Sequence, residues 1–356
     1  MDTLINFIAT RRAARGMRMK YCMMITMILP WVGCFAQSNV PLFSSKEPLN
    51  LQISGSIKSI KKNTNDSTLV TGKLLYEDST GQWVTVIGQA RVRGNFRREN
   101  CYFPPLKIKF NKKNVASTIF KGNKSLKLVF PCHTSGEKNV LVRKEYLCYQ
   151  FYELLSPFHF RTRIANLTLT ELSRKKPKSF EILTFFVEDN SMVAKRADGK
   201  IMKVRGLSPA VFDERTAIRN DFFQYMIGNA DWSATYQHNT NVMYAGNKYH
   251  TLSYDFDMSG FVNAGYARTN APQLGTGDPR ERVYRGFCRA PSTMEEVRKD
   301  FLARQGAIHS LIDNEAHHFS KPELDDMHNY LDGFFKILAN DAQFRTAILE
   351  SCRKLQ

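Results

Sequence analysis

Gly228-Asn229-Ala230-Asp231-Trp232 is followed closely by His238-Asn239-Thr240-Asn241 and then by Tyr254-Asp255-Phe256-Asp257. Carboxylates and carboxamides at the ends of short apolar runs can hold Mg²⁺ against a phosphate and orient a nucleophilic hydroxyl, so phosphoryl transfer is the chemistry this set favours. Asp231 stands where a helix over 209–227 should end, on a loop, free to accept a proton from a substrate hydroxyl. Asn239 and Asn241 offer neutral oxygen ligands beside the strand-like Val242-Met243-Tyr244. Asp255 and Asp257 are two apart and on a strand would face the same cation. Each residue also has a structural reading: Asn239 as a turn residue, His238 as a surface or core histidine, Asp257 as a cap.

The cations that would meet the phosphate come from earlier in the chain. Alternation puts Arg91 and Arg93 on one face of a strand, and Lys107 and Lys109 on one face of the next. If that face lines a cleft it holds polyphosphate; otherwise it is the watered side of an ordinary sheet, with Leu106, Ile108 and Phe110 toward the core. In Arg93-Gly94-Asn95 the glycine permits either a turn or close approach of backbone to a ligand. Glu145, on a helix, either pairs with one of the lysines or faces solvent. Glu188 closes the apolar strand Phe185-Phe186-Val187-Glu188-Asp189. A linker there would offer backbone groups to an adenine edge, or the acids simply mark a turn.

Strand-like runs at 51–60, 69–76, 84–93, 105–110 and 125–130, separated by Asn, Asp, Gly and Pro turns, predict an antiparallel sheet. Helical spacing from Lys138 to Leu155 predicts a helix stopped by Pro157. Strands are expected again at 163–172 and 181–188, then helices at 209–227, 292–313, 321–339 and 341–354, with Ser292 and Ser320 as N-caps. The outline is α+β, with a sheet-rich N-lobe over 51–190 and a helix-rich C-lobe over 191–356. Two-lobed phosphotransferases share it, as do many other α+β proteins.

With 356 residues, 43% hydrophobic and 12% aromatic, the chain can bury a core and does not read as disordered. Arg11, Arg12, Arg15, Arg18 and Lys20 precede an apolar run from Tyr21 to Trp31, followed by Gly33-Cys34-Phe35-Ala36. That order reads as a secretory signal over 1–36 cleaved after Ala36, with Met17 or Met19 as alternative starts. The run is about half of the roughly 20 residues a spanning helix needs. Lipidation at Cys34 is the alternative, although Trp31 stands where such signals favour Leu. Residues 37–50 read as a flexible lead-in, and the mature chain is expected in the periplasm, the cell envelope or secreted.

Losing 1–36 takes the formal charge from +18 to +14, which favours phosphates, nucleotides, acidic proteins or lipid head groups as partners. No arginine-rich helix or zinc-finger spacing speaks for nucleic acid. Cys101, Cys132, Cys148, Cys288 and Cys352 contain no CxxC pair, so a thiolate metal site is not expected. Cys101 with Cys132 is the favoured disulfide, since both flank one group of strands, and Cys148 reads as a small buried hydrophobe.

Taken in order, these motifs resemble the CotH kinase-like family, the spore-coat protein H type of atypical protein kinase. Its members share an Arg-Gly-Asn turn, a Lys-rich strand, a Leu-x-x-x-Tyr-Leu helix, an Asp…His-Asn segment and a Trp-Asp-x-Asp strand end. Here these are Arg93-Gly94-Asn95, Pro105 to Phe110, Leu141 to Leu147, Asp231 to Asn241, and Tyr254 to Asp257, with Tyr254 where tryptophan is usual. The resemblance covers about residues 85–260. It implies a bilobal protein-kinase-like fold with an antiparallel-sheet N-terminal lobe and a mainly helical C-terminal lobe. It also implies transfer of the γ-phosphoryl group of ATP, with Mg²⁺, to a protein hydroxyl. By position, Lys107 or Lys109 would contact phosphate, Asp231 would orient the acceptor, Asn239 would help bind metal, and Asp255, with Asp257 in reserve, would be the principal metal ligand. The expected nucleotide-binding set is Arg93, Lys107, Lys109, Glu145 and Glu188. The alternative expectation is a non-catalytic basic binding protein of the cell envelope.

Overall fold

Alternating apolar residues curl the first half of the chain into a closed barrel. The computed structural model describes residues 40–65, 67–134, 138–172, 176–267 and 278–354, so the expected signal lies outside it. Seven strands, β1 (Leu49–Gly55), β2 (Val70–Glu77), β3 (Trp83–Val92), β4 (Leu106–Phe110), β5 (Ser125–Val129), β6 (Thr162–Glu171) and β7 (Lys178–Val187), join in the order β1-β2-β3-β4-β5-β7-β6. Neighbours are antiparallel except β6 and β1, which run parallel from Leu49↔Ala165 to Gly55↔Glu171 and close the ring. One face of each strand points inward, and Leu51, Leu74, Val86, Ile108, Leu126 and Leu167 fill the interior.

The closed barrel overturns the expected bilobal kinase-like fold. An open sheet lobe does not form because β6, arriving after the long helix α3 (Lys138–Leu155), pairs with β1 along its whole length. Phe185 and Val187 on the outer face of β7 share one apolar core with α3 and with Phe222, Phe256, Phe301 and Leu331. Residues 38–356 group as one unit.

Most expected elements appear near their predicted bounds, and the departures have local causes. The strand expected over 51–60 stops at Gly55, where the Ser56 side chain accepts from Ser59 N and starts helix α1 (Ile57–Asn63). The described part of the expected lead-in is packed: Leu42 is fully buried in the barrel core, and Arg163 donates to the Leu42 and Glu47 carbonyls. The Arg93-Gly94-Asn95 turn opens a short helix, α2 (Asn95–Asn100), with Gly94 at φ 77 as its N-cap. A further short helix, α4 (Asn190–Arg196), leads to a small sheet of β8 (Lys200–Met202), β9 (Thr240–Ala245) and β10 (Lys248–Ser253), with α5 (Glu214–Met226) between β8 and β9.

The helix expected over 292–313 is two, Pro291–Ala303 and Gln305–Asp313, and Ala290 rather than Ser292 is its N-cap. Ser320 does cap Lys321–Ala339, through a capping box with Glu323. Among the described residues no helix is long and apolar enough to cross a membrane. Disulfides join Cys101 to Cys132, as favoured, and Cys288 to Cys352, while Cys148 is buried and free.

Candidate metal and phosphate cleft

Three chain segments bring carboxylates together beside the barrel. The first is the end of α5. Gly228, at φ 62, turns the chain out of the helix, and a Cβ there would collide with the Tyr330 hydroxyl. Asn229 locks the next turn: its Nδ2 donates to Gln224 Oε1 at 2.9 Å and its Oδ1 accepts from Asp231 N at 3.0 Å. With Trp232 buried as an anchor, Asp231 is held half-buried on the loop.

The second segment follows β10. Asp255 and Asp257 do not lie on a strand as expected, because Asp255 adopts φ 68 and breaks the extension. Phe256 between them is fully buried against Tyr149 and Phe223, with ring centroids 4.7 and 5.2 Å away. Burying the middle residue keeps the two acids together. Tyr149 Oη accepts from Asp255 N at 3.0 Å. Among the described residues no donor bonds the Asp255 carboxylate.

The third segment is α3, buried along most of its length, which carries Glu145 into the protein at 1% exposure. One oxygen each from Glu145, Asp255 and Asp257 lie within 4.8 Å of one another. Arg97 of α2 enters the same cluster. Its Nε donates to Asp257 Oδ2 at 3.0 Å, and its Nη2 to Glu145 Oε2 and Tyr266 Oη, each at 3.3 Å.

Glu145 Oε1 and Arg97 Nη1 are buried without a hydrogen-bond partner. Burial raises the Glu145 carboxyl to about 8, against Arg97 and helped by Asp257 and Asp255. Burial likewise raises Asp257, with Arg97 opposing and Asp255 adding. Raised carboxyl groups packed around one arginine are held short of full ionisation, and an all-oxygen donor set of this kind suits a hard divalent cation such as Mg²⁺, whose charge would favour the ionised form.

Above this cluster opens a cleft of about 420 Å³ lined by Arg93, Arg97, Asp231, Asn239, Asp255 and Asp257, among others. Five of the residues expected from the sequence therefore share one cavity: Arg93, Asp231, Asn239, Asp255 and Asp257. Asp231 is already committed on both oxygens, to His238 Nε2 at 2.8 Å and to Asn239 Nδ2 at 2.9 Å. A carboxylate only accepts, so the amide nitrogen of Asn239 must face Asp231. Its Oδ1 is left as the acceptor for other partners.

The other expected residues lie elsewhere. Lys109 is exposed on β4, and Lys107 pairs with Asp189 at 3.6 Å; neither lines the cleft. Glu188 is buried 1% exposed, accepting from Arg161 N at 3.1 Å and from Arg196 at 2.9 Å, so it ties the end of β7 to α4. Asn241 sits in β9 outside the cleft lining.

Two residues that sequence reasoning passed over belong here. Arg97 lines the cleft, and Lys127 stands against the Tyr254 ring outside the lining. Arg91, Lys107 and Lys127 stand directly opposite one another across β3, β4 and β5, a row of like charges that costs stability. Lys127 is buried with its Nζ 4.4 Å from the Phe160 and Tyr254 ring centroids. Burial, then repulsion from Arg93, push its pKa well below the usual lysine range, while Asp189 and Asp255 pull the other way. No protein-family model matches this sequence, and no curated protein does either.

Proposed function

We propose that the chain is an exported phosphotransferase, moving the γ-phosphoryl group of ATP to a protein hydroxyl from a metal site on Glu145, Asp255 and Asp257. The observation that carries this reading is the buried, partly unpartnered carboxylate cluster directly beneath a cleft that also holds Arg93 and Asp231. A bound Mg²⁺ would neutralise and orient the phosphate. Asp231, backed by His238 and Asn239, takes the proton from the acceptor hydroxyl. Arg93 offers a guanidinium to the phosphate oxygens. The motif order shared with the CotH kinase-like family supports the same chemistry on a barrel rather than a kinase lobe. The two disulfides suit an oxidising compartment outside the cytosol.

The test is incubation of the purified protein with γ-labelled ATP and Mg²⁺ in the presence of candidate acceptor proteins. Label transfer should fall by roughly a hundredfold or more in Asp255→Ala. Equal labelling by wild type and variant would sink the assignment.

Arg97 favours a second reading, because it already supplies the cluster with an internal cation. In that reading the cleft binds acidic partners without chemistry. Salt-sensitive polyanion binding that survives loss of both Asp231 and Asp255, with no label transfer by the wild type, would select it.

A further inference from the structure

The barrel holds a cavity that the proposed chemistry does not use. It lies at the barrel end crossed by α1, has a volume of about 240 Å³, and is walled by Ile53, Ile57, Ile60, Leu74, Ile108 and Leu169. Interior side chains normally fill a small barrel, so an open apolar space of this size needs a cause. Glycine is the cause. Gly55 in β1 and Gly72 in β2 share the inward parity of Leu51 and Leu74, and a Cβ at either would meet no atom within 4 Å. Neither has a positive φ, so no turn requires glycine at these positions. An apolar cavity of about 150 Å³ is enough to take benzene.

The rim of the cavity is basic. Lys73 lines the mouth beside Gly72, and α1 carries Lys58, Lys61 and Lys62 along the adjoining groove. Lys61 donates to the Cys101 carbonyl at 2.9 Å, whereas Lys58, Lys62 and Lys73 form no ion pair among the described residues. The acid of this groove, Glu171, accepts from Ile57 N at 2.8 Å at the start of α1. Ile53, Ile60 and Val70 remain only half-buried around the opening.

From this pairing of an unfilled apolar pocket with unpaired cations, we infer that the barrel mouth binds a single-chain anionic amphiphile. Its tail lies in the glycine-made space and its carboxylate or phosphate head meets the lysines of α1 and β2. Both a free fatty acid and an acyl chain offered by an anionic membrane have this chemistry.

Titration calorimetry with decanoate tests the inference. Saturable binding of one decanoate per chain is expected, with decanol at least tenfold weaker. Gly72→Leu should abolish binding while leaving the melting temperature equal or higher, since it fills a void. Should Gly72→Leu fail to fold, Gly72→Ala is the smaller plug and should weaken binding. Lys58→Glu combined with Lys62→Glu should weaken decanoate at least tenfold without affecting decanol. Phosphatidylglycerol vesicles that compete with decanoate would identify the membrane source, and vesicles that do not would leave the free acid. Absent or non-saturable decanoate binding, equal affinity for decanol, or binding indifferent to the Gly72 variants would overturn it. So would vesicle binding without any binding of decanoate.

Discussion

Arg97 Nε donates to Asp257 Oδ2 at 3.0 Å, joining residues 160 positions apart, and both side chains are nearly inaccessible to water. The pair pins α2, at the end of a barrel strand, to the loop that follows β10. Burial opposes the charge on Arg97, yet Asp257, Tyr266 and Glu145 outweigh it and hold its pKa well above the ordinary value. The guanidinium is therefore a fixed part of the acidic cluster.

Removing that charge should be expensive. Arg97→Met leaves Glu145 and Asp257 buried with no cation, and a loss of about 3–5 kcal/mol is expected by denaturant unfolding. Millimolar Mn²⁺ should then raise the melting temperature of the variant more than that of the wild type, because the metal replaces the lost charge. A variant as stable as wild type, or one indifferent to Mn²⁺, would show that the cluster does not need positive charge.

Asp255 behaves differently, since no described donor holds its carboxylate. Asp255→Asn should change metal-free stability by less than about 1 kcal/mol. It should also erase the stabilisation that Mg²⁺ confers, which for the wild type is about 2.7 kcal/mol at a hundred times Kd. Thermal shifts with and without Mg²⁺ decide the point: an unchanged Mg²⁺ response would remove Asp255 from the ligand set.

Asp221, buried in α5, governs a pH response away from the cleft. Burial raises its pKa from 3.8 to about 7, against a hydrogen bond from Asn220 and the charges of Arg289 and Arg353. The unfolded chain releases this proton near the lower value and the folded chain near the higher one. Its stabilising contribution is complete below about pH 4 and is lost as pH rises toward 7, at about 1.4 kcal/mol per pKa unit. Asp221→Asn should accordingly melt higher than wild type at pH 8, with the gap closing toward pH 4. Thermal unfolding across that range would refute the assignment if the gap ran in the opposite sense.

The Cys101–Cys132 disulfide follows α2 directly and spans 31 residues. Cys101→Ser with Cys132→Ser should cost about 3–4 kcal/mol through the released loop. Because the bridge also holds the helix that delivers Arg97, the double variant should, like Arg97→Met, be stabilised by Mg²⁺ more than the wild type in the same thermal-shift series. A Mg²⁺ response equal to that of the wild type would separate the disulfide from the site.

Much of the local structure was legible in the residues. The alternation of Leu106, Ile108 and Phe110 marked β4, and the apolar spacing from Val140 to Leu154 marked α3 to its ends. Closure of the barrel was not, since the pairing of β1 with β6 is parallel and joins segments more than 100 residues apart with no turn to announce it. The acids of the cluster stood out as Tyr254-Asp255-Phe256-Asp257, though their common orientation comes from burial of Phe256 rather than from a strand. Arg97 was hidden because Arg97-Arg98-Glu99-Asn100 has the composition of a solvated turn. Lys127 did leave a signal: it is the lone charge in Ser125-Leu126-Lys127-Leu128-Val129, a strand buried throughout.

The ring of seven strands also limits how a polypeptide partner can dock. A closed barrel offers no row of unpaired amides for an incoming peptide to extend. Among the described residues, stretches without a strand neighbour remain on one side of β2 at 70–73 and of β7 at 178–184, and on the small sheet, where the flank of β10 is partly covered by the bridge between Phe212 and Tyr249 and β8 is three residues long. Apart from such short stretches, a protein engaging the barrel is recognised through side chains and loops, and its segment need not be extended.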